Sequence, residues 1–324
     1  MTPTKISRAK GAMAGLAVGD ALGRPVEGLS AEEIRKNYGS INDFLSKTPG
    51  GSDDTEYAIL TGLAIKKYGT AITAQDFAHE WLENVCYQSE EFLGAGFSES
   101  SAIANLKSGL LPPQSGIHIH SWSDGLAMRV APIGIVGNGD IELTKRITIA
   151  DGQVSHSGEG IHSGVAIAVA ISAAMAGKNY RESFDLAQES IPKDSWTYRN
   201  IDDVRKIVLE NENEEVHVIA DKLLAKIATH DYSFADLAPE AAALALSALL
   251  YGKGDFIRTL LFAVNLGRDA DTIAAMAGAM AGTIVGYEAI PEHWKASVNE
   301  VQGSCLAFTK GMNPVQLGEE LASL

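Results

Sequence analysis

The sequence is short of cysteine, of basic residues and of long apolar runs, and each shortage excludes a class of protein. Only two of its 324 residues are cysteine, which is too few for a disulfide scaffold or a thiolate metal site. We expect both, Cys86 and Cys305, to be buried thiols in a reducing compartment. Lys and Arg number 26 against 41 Asp and Glu, so the formal net charge is −15. This acid excess disfavours binding to nucleic acids and to anionic membranes, although it suits cations.

The apolar runs are too short for a membrane span. The longest, residues 164–177 and 273–286, are interrupted by glycine and fall below the roughly 20 residues that a span needs. No export signal is apparent, because Asp20 directly follows the apolar stretch 11–19. We therefore expect a soluble, cytoplasmic protein, and the sequence leaves its oligomeric state open.

Apolar spacing of the i, i+3, i+4 type predicts helices along most of the chain, and no alternating run compels a sheet. We expect one compact all-α domain over residues 1–324, an orthogonal helical bundle. The predicted helices cover residues 31–38, 55–67, 74–86, 164–176, 201–211, 214–227, 239–250, 255–266 and 272–286.

Two glycine stripes single out a pair of helices. Glycine recurs every fourth residue from Gly11 to Gly23 and again from Gly278 to Gly286. Each glycine inside a helix costs up to ~1 kcal/mol, so a repeated stripe needs a packing reason. On a helix, i+4 spacing aligns the glycines on one face, where a second backbone can approach. We predict two central helices in close contact.

Acidic pairs stand at two apparent helix starts, after Ser52 and before Thr272. One Asp per helix would serve as a cap, whereas two, flanked by hydroxyl residues, exceed what capping needs. Carboxylate and hydroxyl oxygens are ligands suited to Mg²⁺, Mn²⁺ or Ca²⁺. The pairs are Asp53 with Asp54 and Asp269 with Asp271.

Three other segments carry candidate residues with structural alternatives. Glu27 follows Pro25 on a loop and is either a site residue or an exposed glutamate. His156 stands between two serines, where it either belongs to a helix cap region or contacts substrate. Tyr57 and Trp122 are suited to stacking on a ring, although a core position is the more common one for each.

Taken in order, these segments resemble the ADP-ribosylglycohydrolase family, and the resemblance covers nearly the whole chain. Gly19-Asp20-Ala21 with Glu27 is similar to the family's N-terminal motif. Ser52-Asp53-Asp54-Thr55 is similar to its Thr/Ser-Asp-Asp-Thr/Ser metal motif. Asp269-Ala270-Asp271-Thr272 resembles its C-terminal Asp-x-Asp-Thr motif.

The resemblance implies an all-α hydrolase that cleaves an N- or O-glycosidic bond at ribose C1, with two divalent cations, Mg²⁺ or Mn²⁺, in a cleft. Its substrate would be a small-molecule or protein-linked ribosyl group. The general base would be Glu27, Asp54 or Asp269, and the sequence does not choose among them. The implied metal ligands are Ser52, Asp53, Asp54, Asp269, Asp271 and Thr272; the implied substrate contacts are Ser123, Asp124, Gly125, Met128, Arg129 and His156.

One motif departs from the family pattern. The family's small-residue loop commonly reads Gly-Asn-Gly before its Ala-Met-Arg, and its backbone N–H groups approach a diphosphate. Here Asp124 adds a charge and Leu126 adds bulk. Two like charges ~4 Å apart cost roughly 4 kcal/mol at an effective dielectric near 20. If Asp124 points into the site, close diphosphate binding is disfavoured.

Three functions therefore stay open. The first is hydrolysis of ADP-ribosylated protein or of an ADP-ribose conjugate. The second keeps the metal chemistry on a nucleoside-like N-riboside without a diphosphate. The third is a non-catalytic structural or binding relative, against which the acidic pairs argue.

Overall fold

The fold is built from helices that begin at capping residues and bury alanine- and glycine-rich faces. The computed structural model describes residues 2–88, 96–232 and 234–324. Within these ranges it contains no β-strand, only two isolated β-bridges. The all-α class predicted from the sequence is confirmed. The α-helices of these ranges are α1 (Lys5–Gly23), α2 (Ala31–Tyr38), α3 (Asp53–Tyr68), α4 (Ala74–Trp81), α5 (Phe97–Lys107), α6 (Gly125–Arg129), α7 (Ala131–Gly137), α8 (Ile141–Ser155), α9 (Glu159–Met175), α10 (Tyr180–Glu189), α11 (Trp196–Glu210), α12 (Val216–Ile227), α13 (Ala238–Gly252), α14 (Phe256–Asn265), α15 (Ala270–Val285), α16 (Glu292–Ser297) and α17 (Pro314–Leu321).

Every helix predicted from apolar spacing is present. The segment predicted over 74–86 is α4 followed by a π-helical turn, Leu82–Cys86. Periodicity missed α5 to α8, α10, α16 and α17. A cap signal announces α10, because Asn179 and Glu182 form a capping box in the structure.

The two glycine-striped helices, α1 and α15, lie in backbone contact, as predicted. A Cβ atom on Gly15 would lie 2.0 Å from the carbonyl oxygen of Gly278, and one on Gly19 would lie 2.1 Å from that of Ala274. No side chain fits in such a gap, so glycine is required there. This contact places the C-terminal end of α1 beside the N-terminal end of α15.

Around this pair the buried apolar side chains form one cluster. Alanine supplies much of it along α9, α13 and α15, which lets the central helices pack closely. Among the described residues, no helix combines the length and apolar character needed to cross a membrane.

Candidate active site

A cavity of about 550 Å³ opens where the N-terminal ends of α3, α6 and α15 meet the C-terminal end of α1. All six metal ligands implied by the resemblance line it, as does Glu27. Three residues of the motif 123–129, which departs from the family pattern, line it as well. The lining residues are Arg24, Glu27, Gly28, Ser52, Asp53, Asp54, Gly96, Asp124, Gly125, Met128, Phe234, Ala235, Asp236, Arg268, Asp269, Asp271, Thr272 and Ser304.

The start of α3 is held by a carboxylate from another helix. Asp20 lies near the end of α1 and is fully buried. It accepts hydrogen bonds from the backbone N–H groups of Ser52, at 2.8 Å, and of Thr55, at 3.2 Å. Ser52 stands at the N-cap position of α3 but makes no capping bond with its own side chain. Asp20 therefore caps α3 from behind the carboxylates of the cavity, a role that sequence reasoning did not assign to it.

The carboxylates converge in two groups that share Asp271. In one, oxygens of Asp20, Asp54 and Asp271 all lie within 4.8 Å of one another, and in the other so do those of Glu27, Asp269 and Asp271. The first group is entirely buried. Oxygen atoms Asp54 Oδ1 and Asp271 Oδ1 are buried and have no hydrogen-bond partner within the part of the chain that the structure describes. Paired groups of hard oxygen donors with unsatisfied atoms fit divalent cations.

The pKa shifts of these carboxyl groups also favour a cation site. Burial, and then the charge of Asp20, raise the pKa of Asp53 and of Asp54 well above the usual range. Burial and the charge of Asp269 do the same to the pKa of Asp271. Because ionised carboxylates this close repel one another, bound cations would relieve the repulsion at neutral pH.

The loop that carries Glu27 is tied to the start of α15. Glu27 follows a 3₁₀ turn, Arg24–Val26. Its neighbour Gly28 donates its N–H to the carbonyl oxygen of Arg268 at 2.8 Å, and Arg268 donates in turn to Leu29 at 2.8 Å. Arg268 adopts a left-handed conformation, with φ of 63°. These bonds bring the Glu27 carboxylate, which is exposed, to Asp269 and Asp271.

The motif 123–129, which departs from the family pattern, contains the start of α6. In it, Asp124 faces the carboxylates of the cavity. Asp124 is only 3% exposed and lines the cavity, and its Oδ2 atom has no hydrogen-bond partner in residues 2–88, 96–232 and 234–324. Its carboxyl group lies at hydrogen-bonding distance from that of Asp269. Burial first, and then the charge of Asp236, raise the pKa of Asp124 well above the usual range. The condition set out from the sequence, that Asp124 points into the site, is met.

Ser123, Arg129 and His156, expected to contact substrate, do not line the cavity. Arg129 is fully buried, with ion pairs at 3.1 Å to both Glu99 and Asp151. His156 is 1% exposed, and its ring nitrogens bond the hydroxyl groups of Ser155 and Ser123. These side chains lie behind the wall that Asp124 and Gly125 form.

Sequence reasoning missed the wall that faces α6. Asp236 and Phe234 come from the segment before α13, and a β-bridge between Ser123 and Leu237 holds that segment against α6. Phe234 is 46% exposed and belongs to an aromatic group at the mouth of the cavity. The group consists of Phe97, Trp122, Trp196, Tyr232 and Phe234, with successive ring centroids 5.0–6.0 Å apart.

Of the two aromatic side chains with alternative roles, one is in the core. Tyr57 is fully buried, with its ring centroid 5.3 Å from that of Trp81. Trp122 belongs to the aromatic group and donates its indole N–H to the carbonyl oxygen of Ile119. A ring-binding role is therefore open to Trp122 and not to Tyr57.

Comparison with known proteins decides the family. The family model for ADP-ribosylglycohydrolase matches residues 1–321. The chain belongs to this family. A protein of Archaeoglobus fulgidus, recorded only as uncharacterized, is 35% identical over 86% of this chain and 88% of its own length. ADP-ribosylhydrolase ARH3 of Gallus gallus is 26% identical over 91% and 90%. The ADP-ribosyl-[dinitrogen reductase] glycohydrolase of Rhodospirillum rubrum is 24% identical over 92% of each chain.

A solved structure shares the fold. An ADP-ribosylglycohydrolase-related protein complex superposes with a TM-score of 0.68 at 23% identity, covering 98% of both chains. The family and the names of these relatives make this member of the ADP-ribosylglycohydrolase family a hydrolase of glycosidic bonds. The acidic clusters found in the cavity agree with that chemistry.

Proposed function

We propose that this protein is a dinuclear-metal-dependent hydrolase that cleaves the ribosyl glycosidic bond of an ADP-ribosylated protein or of an ADP-ribose conjugate. The observation that carries the proposal is the pair of carboxylate groups sharing Asp271 at the base of the cavity. Its cations would be Mg²⁺ or Mn²⁺, held by the two groups together with Ser52, Asp53 and Thr272. The family names support the ADP-ribose part of the substrate.

The side chains of the cavity have different roles in the proposed hydrolysis. When bound, the cations would grip vicinal ribose hydroxyls and hold a water near the anomeric carbon. The carboxylates of the wall then stabilise positive charge developing on the ribose ring. Glu27, Asp54 and Asp269 remain the candidates for the base that takes a proton from the water. We favour Glu27, because its side chain is exposed at the cavity, whereas Asp54 and Asp269 are buried.

The aromatic group is suited to bind a flat ring of the substrate at the mouth of the cavity. Phe234 offers an exposed face beside Asp236, and Trp122 and Tyr232 continue the surface away from the carboxylates. Aromatic side chains stack on flat rings by offset or edge-to-face contact. The adenine of an ADP-ribose conjugate would stack on this surface while the ribose that carries the scissile bond stays at the carboxylates.

Metal binding by calorimetry tests the proposal. We expect wild-type protein to bind Mn²⁺ or Mg²⁺ and Asp271→Asn to lose the binding, because Asp271 belongs to both groups. Asp202→Asn is the matched control, since Asp202 is a partly exposed acid outside the cavity that pairs with Lys206 on α11. Glu27→Gln should lose turnover and keep the cation held by Asp20, Asp54 and Asp271, a group that does not contain Glu27. A wild-type protein that binds neither cation would refute the proposal.

The position of Asp124 favours a second candidate, an N-ribosyl hydrolase for nucleoside-like substrates without a diphosphate. When ionised, the buried Asp124 carboxylate, which lines the cavity beside Asp236 and Asp269, repels phosphate oxygens. Arg24 supplies positive charge at the cavity, with its guanidinium donating to the carbonyl oxygens of Gly50 and Gly51. Turnover of ADP-ribosyl-arginine and O-acetyl-ADP-ribose should be compared with that of free nucleosides. Turnover of nucleosides alone would replace the first candidate by the second.

A further inference from the structure

Behind the cavity wall, five buried side chains form a closed ring of hydrogen bonds. Arg129 donates from Nη2 to the hydroxyl of Ser155 at 2.9 Å, and this hydroxyl bonds Nδ1 of His156 at 2.7 Å. On the other side of the imidazole, Nε2 bonds the hydroxyl of Ser123 at 3.2 Å. Ser123 donates to Oε2 of Glu99 at 3.2 Å, and Arg129 Nη1 closes the ring at Oε1, 3.1 Å away.

One assignment of protons gives every donor in the ring an acceptor. Arginine only donates, so the Ser155 oxygen accepts from Arg129, and in this assignment the one Ser155 proton is given to His156 Nδ1. A carboxylate only accepts, so Ser123 gives its proton to Glu99 and its oxygen accepts from His156 Nε2–H. Each donor then meets an acceptor all the way round. All five residues are buried.

We propose that His156 is a positioning residue, neutral and protonated at Nε2, which acts through Ser123 to hold the start of α6 in the cavity wall. This inference rests on the proposed function for its significance, since Asp124 and Gly125 are the wall residues that follow Ser123. His156 therefore serves the reaction without touching the substrate.

Packing around the ring shows how it fixes the wall. A Cβ atom on Gly125 would lie 2.1 Å from Glu99 Oε1, so the carboxylate rests directly against the first residue of α6. A Cβ atom on Gly160 would lie 2.7 Å from His156 Cδ2, so the imidazole packs directly against the backbone of Gly160. The ring thus couples the C-terminal end of α8, which ends at Ser155, to the N-terminal end of α6.

Nitrogen-15 NMR of the imidazoles tests the tautomer without any substrate. The two ring nitrogens of a neutral histidine give well-separated resonances, and His156→Gln identifies the signals that belong to His156. We expect the Nε2–H tautomer in wild-type protein. An Nδ1–H tautomer or an imidazolium would overturn the proposal, because either reverses a bond of the ring.

A pair of serine variants tests the positioning role. Ser155→Ala removes the donor to His156 Nδ1, whereas Ser157→Ala removes a nearby hydroxyl that bonds Ser121 outside the ring. We expect the backbone amide resonances of Asp124 and Gly125 to shift in Ser155→Ala and to stay in place in Ser157→Ala. Equal spectra for the two variants would overturn the role.

Binding measurements connect the ring to the proposed function. In Ser155→Ala we expect the Kd of ADP-ribose to rise about tenfold, with that of Mn²⁺ unchanged, because the ring contains no proposed metal ligand. A ring confirmed by NMR in a protein that binds no ADP-ribose would refute the ADP-ribose substrate and leave the ring intact. Unchanged ADP-ribose affinity in a protein that does bind it would refute the positioning role.

Discussion

At the scale of single residues, Asp124 is the side chain that most affects which substrate the cavity accepts. It stands where the family commonly has asparagine, and it is buried against the Asp269 carboxyl. Its Oδ2 atom has no hydrogen-bond partner among the described residues. A phosphate placed beside the ionised form of Asp124 would meet a second negative charge in a desolvated site, where repulsion is strong.

Replacing this charge should favour phosphate-bearing ligands. In Asp124→Asn, which keeps the size of the side chain, we expect ADP-ribose to bind about tenfold more tightly or better. Adenosine, which carries no phosphate, should bind with nearly unchanged affinity and serves as the matched ligand. Calorimetry in the presence of Mg²⁺ measures both, and equal affinity of wild type and variant for ADP-ribose would contradict the prediction.

At the scale of elements, the contact between α1 and α15 builds the metal-binding region. Asp20 and Asp271 lie on these two helices, at the end of the glycine stripes where the backbones touch. Any side chain between the helices would force them apart. The glycines therefore serve the site as much as the core, because the distance between the two carboxylates depends on them.

Gly15→Ala tests this dependence. The added Cβ atom would lie 2.0 Å from the carbonyl oxygen of Gly278, so the helices must separate. We expect a loss of about 2 kcal/mol or more in the free energy of unfolding, measured by urea titration, and weaker binding of Mn²⁺. Lys5→Ala, an exposed change at the start of the same helix, is the control and should alter neither quantity. Unchanged stability in Gly15→Ala would argue against the close contact.

A second element-scale prediction concerns the junction of α9 and α11. Glu159, in the first turn of α9, accepts from the backbone N–H groups of Trp196 and Thr197 at 2.7 and 3.0 Å and so caps α11. Burial would raise the pKa of Glu159, but hydrogen bonds from His162 and Thr197 bring it down to about 2, against an ordinary value of 4.5. The ionised form thus stabilises the fold.

Glu159→Gln should therefore destabilise the protein in a pH-dependent way. We expect a loss of about 1 kcal/mol at pH 7 in urea titration, the scale of a charged helix cap. The pKa in the folded state lies below the ordinary one, so this contribution is complete above pH 4.5 and disappears as the pH falls toward 2. Glu32→Gln, at an exposed position in the first turn of α2, is the control. If the difference in unfolding free energy between wild type and Glu159→Gln stayed the same at low pH, the ionised Glu159 would not be the stabilising form.

At the scale of the whole molecule, the negative charge is concentrated as well as abundant. The net charge of −15 disfavours nucleic-acid backbones, while several of the 41 acids are buried together around one cavity. Folding must bring these carboxylates into proximity against their repulsion. A ligand that binds only the folded state stabilises it by mass action.

Metal ions should therefore stabilise the fold. With Mn²⁺ at 100 times its Kd, we expect about 2.7 kcal/mol of added stability, seen as a rise in Tm that EDTA reverses. Asp271→Asn should lose the rise, and Asp202→Asn should keep it. An equal rise in both variants would show that the ion acts elsewhere on the protein.

Much of the fold and part of the site follow from local patterns. Helical spacing, the glycine stripes and the acidic pairs before α3 and α15 depend on residues close in sequence, and each is present in the structure. The short helices α6 and α7 escaped prediction, since they contain too few turns to show a period.

The sequence by itself determined the helical class and the acidic residues at the two helix starts, because these depend on spacing along one chain. Tertiary structure decided which groups meet. Asp20 joins the carboxylates only because α1 packs on α15, and Asp124 faces them because α6 lies against the segment before α13. His156 and Arg129 lie behind the wall for the same reason: burial depends on what other elements cover, which no local pattern specifies.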